Sequence, residues 1–300
     1  MSQPASERRL FALALRLTAV SLLSGMMVLI KLASESGIRL PELLFWRQGL
    51  AVPVVLLWVM IGPGLASLKT ARFGSHVVRS VLGLTGMIFN FGSVILLPLA
   101  EATTIGFAVP IFATILSALW LKERVGIHRW SAVLIGFAGM LIVVQPGGSP
   151  VPLKGALVGI MAAMMIAMTA LQIRELGKTE AATTTVFWFS LLSLVPLGLL
   201  LPFSVTPHDG YQWLLLVGIG ITGGIGQIAL TASLRYAPVS TVVGMDYISL
   251  LWSTMFGWLI WNHLPAYSTW YGAPIIIASG LYIAWREHRL SIISARDIAA

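Results

Sequence analysis

Along this chain the apolar positions gather into ten runs separated by short polar breaks, at approximately 10–33, 42–61, 76–98, 100–120, 129–146, 153–172, 182–202, 211–235, 237–261 and 267–285. A run of roughly 20 apolar residues spans the hydrocarbon core of a bilayer as a helix. There the backbone has no water to bond, so a spanning segment must be a helix or part of a closed barrel. The pattern predicts an all-α integral membrane protein with ten transmembrane helices. No polar stretch between runs exceeds roughly a dozen residues, too short for an independent core, so no soluble domain is expected. The most linker-like break is QPGGSPVPLK, Gln145 to Lys154, whose Pro and Gly favour a turning or extended backbone. The polar ends MSQPASERR and SARDIAA read as solvated tails.

The runs contain a repeat. Residues 83–100, GLTGMIFNFGSVILLPLA, return as 220–237, GITGGIGQIALTASLRYA, so Gly83, Thr85, Gly86, Ile88, Leu97 and Ala100 recur as Gly220, Thr222, Gly223, Ile225, Leu234 and Ala237. Phe45-Trp46 with Pro53 likewise pairs with Phe187-Trp188 and Pro196, and Trp130 with Trp270. The reading is one transport domain made of two five-helix repeats, residues 1–148 and 149–300. An odd number of spans per half makes the second enter the membrane inverted, the plan of secondary transporters whose site lies between the halves near the midplane.

Composition agrees and adds orientation. With 57% hydrophobic and 10% charged residues the chain departs from soluble domains, which carry about 25% charged residues. If the N-terminus is cytoplasmic, the inside segments collect Arg8, Arg9, Arg16, Lys69, Arg72, Arg79, Lys122, Arg124, Arg129, Arg174, Lys178, Arg235, Arg286, Arg289 and Arg296, against Lys31, Arg39 and Lys154 outside. The positive-inside rule then puts both termini in the cytoplasm, and the formal charge of +8 reports orientation rather than a nucleic-acid partner. The first run is long and lacks a clear small-residue cleavage site, so it reads as a retained helix.

Polar groups at membrane depth cost about 2.5–3.5 kcal/mol each on insertion scales, so the few present are the candidates for chemistry. Asp246 falls about nine residues into the run that begins at Ala237, roughly 13 Å deep at the helical rise, with Ser249 and Ser253 on the same face. It has three readings: a site for a substrate amine, a carrier of a coupling proton, or a pair with an internal arginine. The 137-residue offset lays Asp246-Tyr247 on Val109-Pro110, and Pro110 breaks a helix by removing a donor.

Asn90 and Gln227 occupy equivalent places, four residues past the shared Thr-Gly. They are either cavity walls for a zwitterion or interhelical hydrogen-bond glue. Arg47 is a headgroup snorkel, an anion clamp, or the partner of an acid such as Glu101. Trp46, Trp188, Trp252 and Tyr247 are pocket walls or belt aromatics. The spacings Gly155 to Gly159 and Gly220 to Gly224 read as close helix packing. The histidines 76, 128, 208, 263 and 288 lie near loops or helix ends, where a lone His is usually solvated.

Arg47 in FWRQ, the segment LPLAEATTIGFAVPIFATILSALWLKERVGIHRWSAVLIGFAGMLIVV at 97–144 with Pro110 and Glu123, and its second copy at 234–285 carry a family resemblance. The chain resembles the EamA-type members of the drug/metabolite transporter superfamily, and among them the ten-helix bacterial exporters of aromatic amino acids. That resemblance implies a basket-shaped bundle in the bacterial inner membrane, a central cavity between the halves, and export of amino acids or related metabolites. Asn262-His263 stands in the second copy where Glu123-Arg124 stands in the first, so Glu123 reads as a loop anchor.

The expectation is alternating access without ATP hydrolysis, since no GxxxxGK[ST] loop occurs, with a small-molecule substrate, surrounding lipid and no cofactor or metal. Uptake of another metabolite such as S-adenosylmethionine, or drug efflux, is the alternative within transport. A membrane enzyme lacks any HExxH or paired-carboxylate cluster in the spans. A structural scaffold is the remaining rival. Nothing in the sequence fixes the oligomeric state.

Overall fold

The computed structural model describes residues 5–62, 64–119, 122, 125–145, 151–236 and 243–299. Glu123, Arg124, residues 146–150 of the 145–154 linker, the start of the ninth run at Ala237 and the extreme N-terminus lie outside them. Within the described residues the chain is helical: α1 Ala5–Glu35, α2 Leu40–Ile61, α3 Phe73–Leu96, α4 Leu99–Gly106, α5 Val109–Leu119, α6 Ile127–Val144, α7 Leu153–Leu176, α8 Ala182–Leu200, α9 Gly210–Tyr236, α10 Ile248–Trp261 and α11 Tyr267–Ala299. A 3₁₀ turn, Val243–Tyr247, leads into α10.

Local chemistry sets the helix ends. Asp209 and Gln212 form a reciprocal capping box at the start of α9, Gln212 N donating to Asp209 Oδ1 at 2.7 Å and Asp209 N to Gln212 Oε1 at 3.2 Å. Asn262 stops α10 in the left-handed conformation, φ 50°, which asparagine tolerates better than most residues. Lys122, beyond α5, is likewise left-handed, with φ 52°.

Eight segments among the described residues are long and apolar enough to cross a membrane, α4 and α5 together making one. Large apolar side chains stay on the outside of the bundle, including Leu134 at 69%, Leu199 at 72% and Leu251 at 69% exposure. An apolar exterior of this kind is stable only in lipid, so the protein is a multi-pass membrane protein. Of the ten predicted runs, the ninth is interrupted by residues outside the description, and the tenth opens on the more polar Tyr267-Ser-Thr-Trp-Tyr271.

Helices pack in matched pairs. The first helix of each half lies along the third of the other: α1 on α9 and α7 on α3. In the same way α2 packs on α9 as α8 does on α3, and α5 on α7 as α10 does on α1. Glycines create these approaches. A Cβ at Gly86 would meet Met165 Cβ at 3.4 Å, and one at Gly223, its copy in the repeat, would meet Met26 Sδ at 2.8 Å. Helices of equal rank meet antiparallel. Along α6 and α11, Ser279 Oγ donates to Ala132 O at 2.6 Å while Ser268 Oγ donates to Val143 O at 3.3 Å. Along α2 and α8, Gly49 faces Leu194 and Gly198 faces Phe45. The GxxxG glycines are contact points of the same kind: Gly155 sits against Leu97, Gly220 against Leu50 and Gly224 against Val54.

Candidate functional site

The fourth span is broken where Pro110 predicts. Pro110 has no N–H to give Gly106 O and its ring crowds that carbonyl, so α4 ends at Gly106 and α5 begins at Val109. Thr114 Oγ donates to the Pro110 carbonyl at 2.9 Å. Across the bundle, Val243–Tyr247 is 3₁₀ rather than α. The two irregular segments touch: Phe107 and Tyr247 meet edge to face with ring centroids 4.9 Å apart. Gly280 on α11 makes room for both, since a Cβ there would lie 2.6 Å from the Tyr247 hydroxyl and 3.6 Å from Pro110 Cγ.

Asp246 lies in that 3₁₀ turn, not midway along an α-helix. It meets an internal arginine, as one of its three sequence readings has it: Arg16 on α1 donates from Nε at 2.6 Å and from Nη2 at 2.5 Å to the two carboxylate oxygens. Such a bidentate fork is among the stronger ion-pair geometries. Arg16, counted from sequence among the polar inside residues, is 8% exposed. Ser249 Oγ donates to the Asp246 carbonyl at 2.6 Å and Ser253 Oγ to Leu250 O at 3.1 Å, so these hydroxyls satisfy their own turn.

Arg47 is buried and neither snorkels nor reaches Glu101. Its Nη1 donates to Gln48 Oε1 at 2.6 Å and approaches Met87 Sδ at 3.4 Å. Glu101 instead accepts from Ala266 N at 2.9 Å. Asn90 is half-buried on α3, and its carbonyl accepts from Ser93 Oγ. Gln227 is half-buried on α9.

The tryptophans are dispersed. Trp46 packs on Trp213 at 5.1 Å and donates weakly to Glu42 at 3.4 Å, near the start of α2. Trp188 lies toward the opposite end of that helix, donating to Leu68 O at 3.0 Å. Trp252 stacks on Phe256 at 5.7 Å with its indole nitrogen buried and unbonded. Of the sequence candidates, Pro110, Asp246 and Tyr247 therefore gather at one locus with Arg16, while Trp46 and Trp188 mark opposite ends.

Sequence reading missed several groups. His208, expected to be solvated, is buried against Glu42, Nε2 to Oε1 at 2.5 Å, with the two side chains 2% and 0% exposed. His76 is fully buried, 3.7 Å from Glu180. Lys31 closes the end of α3 by donating to Leu97 O at 2.6 Å and Val94 O at 3.1 Å. Arg79 is 7% exposed beneath the Phe189 ring at 4.2 Å. The available signal was helical phase: His76, Arg79, Gly83 and Met87 recur at three- and four-residue steps, on one face of α3.

The EamA-like transporter family matches residues 10–145 and again 153–285. A riboflavin transporter of Vibrio cholerae is 31% identical over 82% of this chain and 83% of its own length. A pseudopaline exporter of Pseudomonas aeruginosa is 27% identical over 83% and 88%. An S-adenosylmethionine uptake transporter of Rickettsia prowazekii is 27% identical over 79% and 80%. One solved crystal structure superposes with a TM-score of 0.62 over 93% of this chain and 98% of its own at 21% identity, a likeness of fold.

Proposed function

We propose, since this chain belongs to the EamA-like transporter family, that it is a secondary carrier that exports amino acids and related small metabolites across a bacterial inner membrane by alternating access. The transport role follows from the family. The substrate and direction are our reading, because similar proteins include both an exporter and an uptake transporter. Two inverted halves are supported by the double family match and by the antiparallel meeting of α6 with α11 and of α2 with α8. With the positive-inside bias, this reading puts both termini in the cytoplasm.

One observation carries the site: the break at Phe107–Ala108 and the 3₁₀ turn at Val243–Tyr247 fall at equivalent places in the repeat and touch through Phe107 and Tyr247. Irregular backbone at membrane depth survives where it is buried in protein or lines a passage, and interrupted helices at the repeat interface are where carriers bind. In this reading the substrate passes this locus. Along its path Asn90, Gln227, Tyr247, Trp252 and Arg47 contact the substrate, Asp246 with Arg16 ties α1 to the irregular turn, and Trp46 and Trp188 border the two ends.

The test is counterflow of radiolabelled amino acids into proteoliposomes loaded with a mixed unlabelled pool. The expected result is accumulation above protein-free vesicles for at least one amino acid. Absence of flux for all of them overturns amino-acid export. A second reading, riboflavin transport, is favoured by the 31% identity to the Vibrio protein, and a riboflavin arm of the same assay decides between them.

A further inference from the structure

The placement of Arg47 and Arg79 is not explained by helix packing alone. An arginine at membrane depth ordinarily bends toward the nearest water, and side chains on a helix tilt toward its N-terminus. Arg79 stands six residues from the start of α3, about 9 Å along the axis, so both tendencies point it back to that end. It does the opposite. Its Nη1 occupies the space that a side chain at Gly83, one turn further into the membrane, would take, and the Phe189 ring closes that space from α8. Arg47 reaches the same face of α3 from α2, its Nη1 3.4 Å from Met87 Sδ. Gly83 and Met87 are four residues apart, so the two guanidinium groups meet α3 at points about 6 Å apart along its axis.

Like charges brought together out of water need a counter-ion, and no carboxylate among the described residues supplies one. Among the described residues, neither arginine has a carboxylate partner: Asp246 pairs with Arg16, Glu180 lies by His76, Glu175 pairs with Lys178, and Glu42 with His208. Arg47 Nε and Arg79 Nε and Nη1 are buried with no acceptor, and the Gln48 amide nitrogen beside Arg47 is likewise unbonded. Buried guanidinium nitrogens left unbonded are costly unless something completes them. The cluster lies between α2 and α3 of the first half and α8 and α9 of the second, with Gly223 flanking the Arg47 stem and Phe189 flanking Arg79. That is the interface at which a carrier of this plan binds its substrate.

We propose that Arg47 and Arg79 together receive the carboxylate of the transported metabolite, with the Gln48 amide as a neutral donor. The substrate class is thereby organic anions and zwitterions rather than cations or uncharged molecules. This deepens the carrier reading above and rests on it for the transport step alone.

The test uses the full chain, purified in detergent, with two probe pairs that differ only in the carboxylate: benzoate against benzamide, and L-phenylalanine against L-phenylalaninamide, at matched ionic strength. Modification by phenylglyoxal, an arginine reagent, is followed at Arg47 and Arg79 by mass spectrometry. A carboxylate probe is expected to slow labelling of both residues at least about fivefold as it saturates the site, and its amide to leave the rate unchanged. Equal rates with carboxylate and amide in both pairs overturn the proposal. The Arg47→Gln and Arg79→Gln variants should lose carboxylate-dependent thermal stabilisation while Arg47→Lys and Arg79→Lys retain part of it. The labelling measurement decides the matter if the glutamine variants do not fold.

A lipid phosphate is the competing source of an anion. Protection in phosphatidylglycerol vesicles, absent in phosphatidylcholine and absent with both carboxylates, overturns the substrate assignment. Counterflow separates the two proposals: flux without carboxylate protection leaves a carrier and removes this site, whereas protection without flux leaves the site and removes the carrier.

Discussion

Arg16 and Asp246, 230 residues apart in sequence, are joined by a two-pronged ion pair with contacts of 2.6 and 2.5 Å. The pair fastens the first helix of one half to the irregular turn of the other. Arg16 is mostly buried and Asp246 about one-third exposed, so solvent reduces its worth below that of a fully buried pair. Removing one partner strands the other charge. Asp246→Asn and Arg16→Gln should each lower the thermal midpoint in detergent, by about 1–3 kcal/mol of stability. The double variant should fall short of the sum of the two. Strict additivity in that double-mutant cycle would exclude the coupling.

The Glu42–His208 contact should respond more steeply, because both side chains are almost wholly out of solvent. His208→Ala leaves the buried Glu42 carboxyl with only the weak Trp46 donor and should cost about 3–5 kcal/mol. His208→Gln, which keeps a donor, should recover part of that. Thermal unfolding followed by far-UV circular dichroism gives the midpoint of each variant. An unchanged midpoint in His208→Ala would remove the pair from any stabilising role.

Close helix approach at α6 should tolerate no added carbon. At Gly136 a Cβ would collide with Ile111 Cδ1 and with Ser279 Oγ, the hydroxyl that donates to Ala132 O. Gly136→Ala is expected to cost about 1–3 kcal/mol by overpacking. Gly25, with nothing within 4 Å of its would-be Cβ, is the control. Gly25→Ala on α1 should be neutral or stabilising, by up to about 1 kcal/mol. Equal midpoints for the two variants would refute the packing argument.

Pro110→Ala restores the donor that the Gly106 carbonyl lacks. The expected outcome is a midpoint higher by about 1.5 °C for a mended turn worth about 1 kcal/mol in a chain of 300 residues, together with slower counterflow once a transported substrate is in hand. Faster flux alongside greater stability would show that the break between α4 and α5 plays no part in transport.

The sequence determined what depends on local pattern and composition. Runs of membrane length can satisfy their backbone only as helices, and Pro110 breaks its helix whatever surrounds it, so α1 to α9 and the Gly106–Val109 interruption follow from residue order. The EamA resemblance was equally legible, because it rests on motifs spread over the whole chain. Tertiary structure decided which polar groups meet. From sequence Arg16 and Arg79 are two positive charges near helix starts and His208 is a loop histidine; inside the bundle they are buried against Asp246, Phe189 and Glu42. Counting charges along a chain gives their side of the membrane but not their facing, since facing depends on helix rotation and on partners hundreds of residues away. For the same reason the sequence offered three readings of Asp246 and three of Arg47, and only packing showed their neighbours: Asp246 has a counter-ion in Arg16, whereas Arg47 has no carboxylate partner among the described residues.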